Sequence, residues 1–224
     1  MKLVNIKYNI DIDIKENRAY EIVIEHQGIF AKTVEMLLKQ CEGEEGSFVL
    51  SENGKTLKID KTADILIDYY SLTPNNKKIL NKLYSQLDTA AEDYIEERND
   101  INSKIVTVLD NLTTSMGLAE INYNLDFKWN DIFKIYGVEF VEEYSGILEK
   151  LVSYIKVLST FTDIKLMFFV NLRSYLCQEE LEELYEICDY CKINLVLIEP
   201  SERLDRTVEI RYIIDKDQCM IDAN

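Results

Sequence analysis

The chain has 224 residues, 47% of them hydrophobic, and carries 41 Asp and Glu against 25 Lys and Arg for a formal net charge of −16. No apolar run approaches the roughly 20 residues a membrane span needs, which leaves the expectation of a soluble chain with one good core and an appendage. Taken alone, the charge predicts repulsion from nucleic acid.

The N-terminal MKLVNIKYNIDIDIKEN alternates apolar and charged residues, which predicts a strand and argues against a secretory core. Residues 3–14 and 19–25 read as two strands separated by a turn. Ile29, Phe30, Val34, Leu37, Leu38 and Cys41 recur at helical spacing, so 27–41 is a short amphipathic helix lying on a sheet. SFVL and TLKI flank Ser51–Lys55, whose Asn53-Gly54 pair is a strong hairpin signal. ADILIDY follows as a buried strand.

From Pro74 to Met116 the pattern predicts one long helix. Leu80, Leu87, Tyr94, Ile101 and Val108 fall seven apart. Tyr84, Ala91, Arg98, Ile105 and Leu112 each sit four residues after a member of that series, the spacing of a packed seam. Thr73 is placed to cap its start and Gly117 to end it. Such a helix is about 60 Å long and should project as an arm. A short helix over 130–136 stops at Gly137, and a return helix over 144–161 is expected to pack on the long one. IKLMFFVNL, QEELEELYEICDYC and NLVLIEP then read as a parallel β-α-β unit, and 207–221 as a closing edge strand. With only seven glycines and two prolines no flexible linker divides the chain. The expected organisation is an α/β head in two halves, 1–72 and 161–224, with a helical arm, 73–160, inserted between them.

Five cysteines form no disulfide-rich pattern, which suggests a reducing, cytoplasmic setting; Cys188 and Cys191 make a lone C-x-x-C, and His26 is the single histidine, so a zinc site is not expected. Gly54-Lys55-Thr56 spells the end of a phosphate-binding loop, but Val49 stands where its first glycine belongs and the tripeptide sits in a hairpin. Asn171 ends an apolar strand where a nucleotide hydrolase of this architecture places a magnesium-binding aspartate. No serine or zinc hydrolase motif occurs. Glu120, Asp126, Asp131, Glu139, Glu142 and Glu143 crowd the segment where the arm turns back, which suits either a calcium ion or a solvated acidic surface.

Three segments, EIVIEHQGIFAKTVEMLLKQCEGEEGSFVLSENGK, DYYSLTPNNKKILNKLYSQL and VNLRSYLCQEELEELYEICDYCKINLVLIEP, together resemble the Csn-two family, the small adaptation protein of type II-A CRISPR systems. The resemblance implies an α/β head related to P-loop ATPases but without a nucleotide site, carrying a helical leg. It also implies a non-enzymatic, calcium-supported ring tetramer whose hole takes double-stranded DNA ends during spacer acquisition, alongside the integrase and effector nuclease. Screening confines phosphate attraction to about 8–10 Å in physiological salt, so an acidic exterior is compatible with a basic lining. The candidate lining cations are Lys77, Lys78, Lys82, Arg98, Lys104, Lys128, Lys134, Lys150 and Lys156; the first candidates for calcium are Glu120, Asp126 and Asp131. The competing expectations are a degenerate ATPase-like enzyme and a scaffold that does not bind DNA.

Overall fold

A computed structural model of the chain describes residues 1–15, 18–117, 121–203, 210–217 and 220–222. They divide into two compact units, Met1–Pro74 with Glu142–Asn224, and Asn75–Val141.

The first unit opens with β1 (Lys2–Asn5) and β2 (Ile10–Asp13), an antiparallel pair. The single strand expected over 3–14 is therefore a hairpin. Asn9 takes the left-handed conformation at φ 51°, a position that asparagine tolerates, and this reverses the chain without disturbing the alternating pattern. Next come β3 (Ala19–Ile24), α1 (Gln27–Cys41), the hairpin β4 (Val49–Glu52) and β5 (Lys55–Leu57), the one-turn α2 (Ile59–Thr62), and β6 (Ala63–Leu66). The hairpin turn is the expected one, with Asn53 and Gly54 both at positive φ.

The second unit holds α3 (Lys77–Ala90), α4 (Ile95–Ser115) and α5 (Trp129–Ile135); the chain then returns to the first unit with α6 (Ile147–Phe161), β7 (Leu166–Val170), α7 (Gln178–Tyr190), β8 (Asn194–Glu199), β9 (Ile210–Ile214) and β10 (Met220–Asp222). The small sheet has the order β2-β1-β4-β5 and the large one β10-β9-β3-β8-β7-β6. In the large sheet every pairing is parallel except β9 with β10. Within the described part of 207–221, the expected closing edge strand is thus two elements: β9 pairs with β3 inside the sheet, and β10 forms the edge on that side.

Strand alternation sorts the core onto two faces. Tyr20, Ile22, Ile24, Phe168, Val196 and Ile198 pack with Ile29 and Leu37 of α1. On the other face α6 and α7 pack together and bury Leu151, Ile155, Leu158, Leu181 and Leu184. Strands covered on both faces account for the continuous apolar runs of β7 and β8.

The return helix accordingly belongs to the head, and the boundary expected at 160 lies near 141. Burial of three aliphatic side chains, worth roughly 1.5–3 kcal/mol each, and a bond of 3.1 Å from the Tyr154 hydroxyl to Asp64 Oδ2 hold α6 on the sheet. The helical spacing within 144–161 is correct, but spacing identifies an apolar face and not the partner that covers it.

The long helix is also interrupted. After the 14 residues of α3, Ala91–Asp93 tighten into a 3-10 turn before the 21 residues of α4 begin. Asn76, not Thr73, is the N-cap, its Oδ1 accepting from Ile79 N at 3.0 Å; the Thr73 hydroxyl instead donates to Glu142 at 2.7 Å. Neither Gly nor Pro marks the interruption, which falls where the packing partner changes. On one side Tyr84 of α3 packs on Phe133 of α5, ring centroids 6.0 Å apart. On the other, α4 holds the extended segment 123–127, through Asn102 Nδ2 to Leu125 O at 2.7 Å and Arg98 to Phe127 O at 2.8 Å. The face of α4 that packs carries Arg98, Asn102, Val106, Leu109 and Thr113, whereas Ile101, Ile105, Val108 and Leu112 of the expected seam are exposed. The expected short helix is present as α5, and Gly137 ends it at φ 60°.

Candidate nucleic-acid interface

The candidate cations do not form one group. Lys77, Lys78 and Lys82 stand exposed in the first two turns of α3, where Lys78 and Lys82 share a face by their i,i+4 spacing. Lys104 of α4 is paired with Asp100 at 2.6 Å, and Lys134 of α5 lies 4.0 Å from Asp131. Lys128 is the exposed N-cap residue of α5. Lys150 and Lys156 belong to α6, hence to the first unit; Lys150 Nζ donates to the Tyr70 carbonyl at 2.5 Å, and Lys156 is exposed.

Arg98 is committed within its own unit. Its Nη2 donates to both carboxylate oxygens of Asp126, at 2.8 and 2.7 Å, and to Phe127 O, while the guanidinium lies 5.5 Å from the Phe127 ring centroid. It pins the 123–127 segment to α4. A candidate cation and a candidate metal ligand thus partner each other.

This bears directly on calcium. Glu120 lies outside the described residues. Asp126 has both oxygens on Arg98, and Asp131 stands in the first turn of α5 beside Lys134. Among the described residues no group of three His, Cys, Asp or Glu side chains is placed to hold a metal ion. Asp126 and Asp131 are thus each engaged by a cation of their own unit, at 2.7 Å from Arg98 and 4.0 Å from Lys134.

The connection from the first parallel strand of the head to its helix is short and capped by a side chain. Numbered in chain order, the five parallel strands stand 5-1-4-3-2, so β3, the first, is interior and runs directly into α1. Only Glu25 and His26 separate them. His26 caps α1, its Nδ1 accepting from Gly28 N at 3.1 Å and Ile29 N at 3.3 Å, so an imidazole fills the position where a helix N-terminus would receive phosphate. Asn171, after β7, adopts φ 57° and accepts a bond from the Ser174 hydroxyl at 2.9 Å.

Beside it the sheet buries charge. Arg173 Nε lies 2.6 Å from Glu21 Oε1, with both side chains essentially inaccessible, and Arg211 pairs with the other Glu21 oxygen. Glu199, at the end of β8, accepts from Arg173 N at 3.1 Å. Burial pushes its carboxyl up to about 7; the Glu21 charge adds to the rise, and the Arg173 amide and the Arg173 and Arg203 charges oppose it. Sequence reasoning passed over this network, although its signal was legible: Glu21, Glu199 and Arg211 are charges inside otherwise apolar strands.

The chain thus comprises a mostly parallel α/β sheet and a separate helical unit that carries exposed lysines. Residues 40–218, well over half of the chain, match the family model described as CRISPR-associated protein (Cas_Csn2), and the chain belongs to that family. A CRISPR-associated protein Csn2 from Streptococcus agalactiae is 23% identical over 228 residues, covering 99% of both chains. Another from Enterococcus faecalis is 21% identical, covering 91% of each. Among solved structures, Stu0660 of Streptococcus thermophilus shares the fold, with TM-score 0.60 at 15% identity over 96% of this chain and 75% of the other. Membership of this family supports a role in CRISPR adaptation.

Proposed function

We propose that the chain is a non-catalytic, sequence-independent DNA-binding protein that assembles as a ring tetramer and takes double-stranded DNA ends during CRISPR spacer acquisition, in the cytoplasm and alongside the integrase and effector nuclease. The observation that carries the reading is the start of α3, where Lys77, Lys78 and Lys82 stand exposed within two turns of a chain of net charge −16. Repeated by symmetry, such a patch attracts the phosphate backbone without reading bases. The exposed row Ile101, Ile105, Val108 and Leu112, spaced four, three and four residues apart, supports assembly through α4, because a heptad-like stripe in water is stabilised by a partner. The two-residue β3–α1 turn and its His26 cap support the absence of nucleotide chemistry in a P-loop-like head. Calcium enters the reading as an ion that neutralises carboxylates of the 118–145 segment, with Glu120, Asp126 and Asp131 as first choices, and so supports assembly.

A gel-shift series with linear and relaxed closed-circular duplex tests it. Linear duplex should bind with an affinity that falls steeply with salt, and the circle should bind poorly, because a closed ring is entered from an end. Glutamate at positions 77, 78 and 82 together should weaken binding evenly across sequences and leave the oligomer intact. Equal binding of circles and ends, or hydrolysis of ATP by the pure protein, would overturn the proposal.

A further inference from the structure

Ligands of open α/β sheets bind beyond the carboxyl ends of the strands, and at that edge the head presents a tyrosine cluster. Tyr69 and Tyr70 follow β6; Tyr175 follows the 3-10 turn after β7. Tyr69 is buried, and its hydroxyl donates to the Val170 carbonyl at 2.8 Å, so its ring is a fixed base. Tyr175 meets it edge-on with centroids 5.0 Å apart, and meets Tyr70 at 5.9 Å and 72°. Tyr70 is nonetheless 71% exposed, and Tyr175 38%. Two large rings are thus held in position yet left in water, the reverse of what a merely structural aromatic cluster achieves.

The charges around them are specific. Lys150 Nζ is anchored on the carbonyl of Tyr70 itself. Arg203 donates to the Arg173 carbonyl and approaches the hydroxyl of Ser174, the neighbour of Tyr175, at 3.5 Å. Of the carboxylates at hand, Glu199 is buried and close enough to Tyr69 and Arg203 to act on both, and Asp68 is taken up by its own turn through Ser71 Oγ at 2.6 Å, Ser71 N at 3.2 Å and Tyr70 N at 2.9 Å, which hold its carboxyl below the usual range. An exposed ring face with two anchored cations, in a chain of net charge −16, complements a planar base joined to a phosphate.

We infer that the exposed Tyr70 ring, braced edge-on by Tyr175, is a stacking platform for an unpaired nucleotide, such as the frayed or overhanging terminus of a DNA end, with Lys150 and Arg203 receiving its phosphate. The choice of nucleic acid as ligand class rests on the proposed function. Stacking of this kind is indifferent to sequence, because every base offers a π face.

The test uses the full chain and a short single-stranded oligodeoxynucleotide carrying 2-aminopurine, with a blunt duplex measured in parallel. The parent should quench the fluorescent base on binding. Tyr70→Ala should weaken the single strand about tenfold and abolish the quench, Tyr70→Trp should keep both, and blunt-duplex affinity should be unchanged in either. Lys150→Gln should weaken the single strand and lower its salt slope by about one. An unquenched base with the parent, or parent-like affinity in Tyr70→Ala, overturns the platform and leaves the tyrosines to a protein contact. Loss of duplex binding by the parent with the quench intact removes the end-threading reading instead, and the platform stands.

Discussion

Replacing Glu199 by Gln should change how stability depends on pH. In the folded protein this carboxyl titrates at about 7, first because it is buried and then because Glu21 lies close; in the unfolded chain it titrates near the ordinary value of about 4.3. Between those values the folded state holds a proton that the unfolded chain has released, so folding loses stability as pH rises from about 4.3 through 7. At 1.36 kcal/mol per unit the loss is on the order of 3 kcal/mol. Gln keeps an oxygen to accept the Arg173 amide and carries no charge, so Glu199→Gln should remove that slope. In thermal melts from pH 5 to 8, the difference between variant and parent should grow in the variant's favour by about 6–12 °C, at 2–4 °C per kcal/mol for a chain of this size. Arg173 and Arg203, which oppose the rise, set the remaining balance. Parallel melting curves across that range would refute the reasoning, and would mean that Glu199 stays ionised against Arg173.

Arg98→Ala should cost about 1–2 kcal/mol, since it removes the paired bonds to Asp126 and the contact with Phe127 from a side chain 31% exposed; faster hydrogen exchange confined to 121–127 would check it, and unchanged protection would refute it. Ile105→Asp with Leu112→Asp should convert the assembly to smaller species in light scattering, with little change in far-ultraviolet circular dichroism, because both residues are exposed on α4. A tetramer persisting in that variant would move the interface elsewhere. Tyr69→Phe should destabilise the head by about 1 kcal/mol, leaving the Val170 carbonyl without its buried donor; a denaturant midpoint equal to the parent's would count against that bond. Calcium should raise the melting temperature relative to chelator only at protein concentrations that support assembly, and an equal rise in a dilute monomer would argue for a ligand set within one chain.

Local pattern by itself determined the elements that depend on near neighbours. Strand β3, helix α1, the Asn53-Gly54 hairpin, the β7-α7-β8 unit and the Gly137 stop follow from alternation, helical spacing and the residues that tolerate positive φ, all of which act over a few positions. Tertiary structure decided what each apolar face meets. It placed α6 on the sheet, because Leu151, Ile155 and Leu158 gain more from the head core than from a solvated helix, and it interrupted the long helix where its partner changes from α5 to the 123–127 segment. It also decided the charges. Arg98 and Asp126 look like free charges in a sequence, but ion pairing depends on distances of 4 Å or less, and residues 28 positions apart reach them only when the backbone has folded back. For the same reason Tyr69 and Tyr70 join Tyr175, more than a hundred positions away, in one cluster only where the parallel strands end side by side, as the bond from Tyr69 to Val170 across 101 positions records.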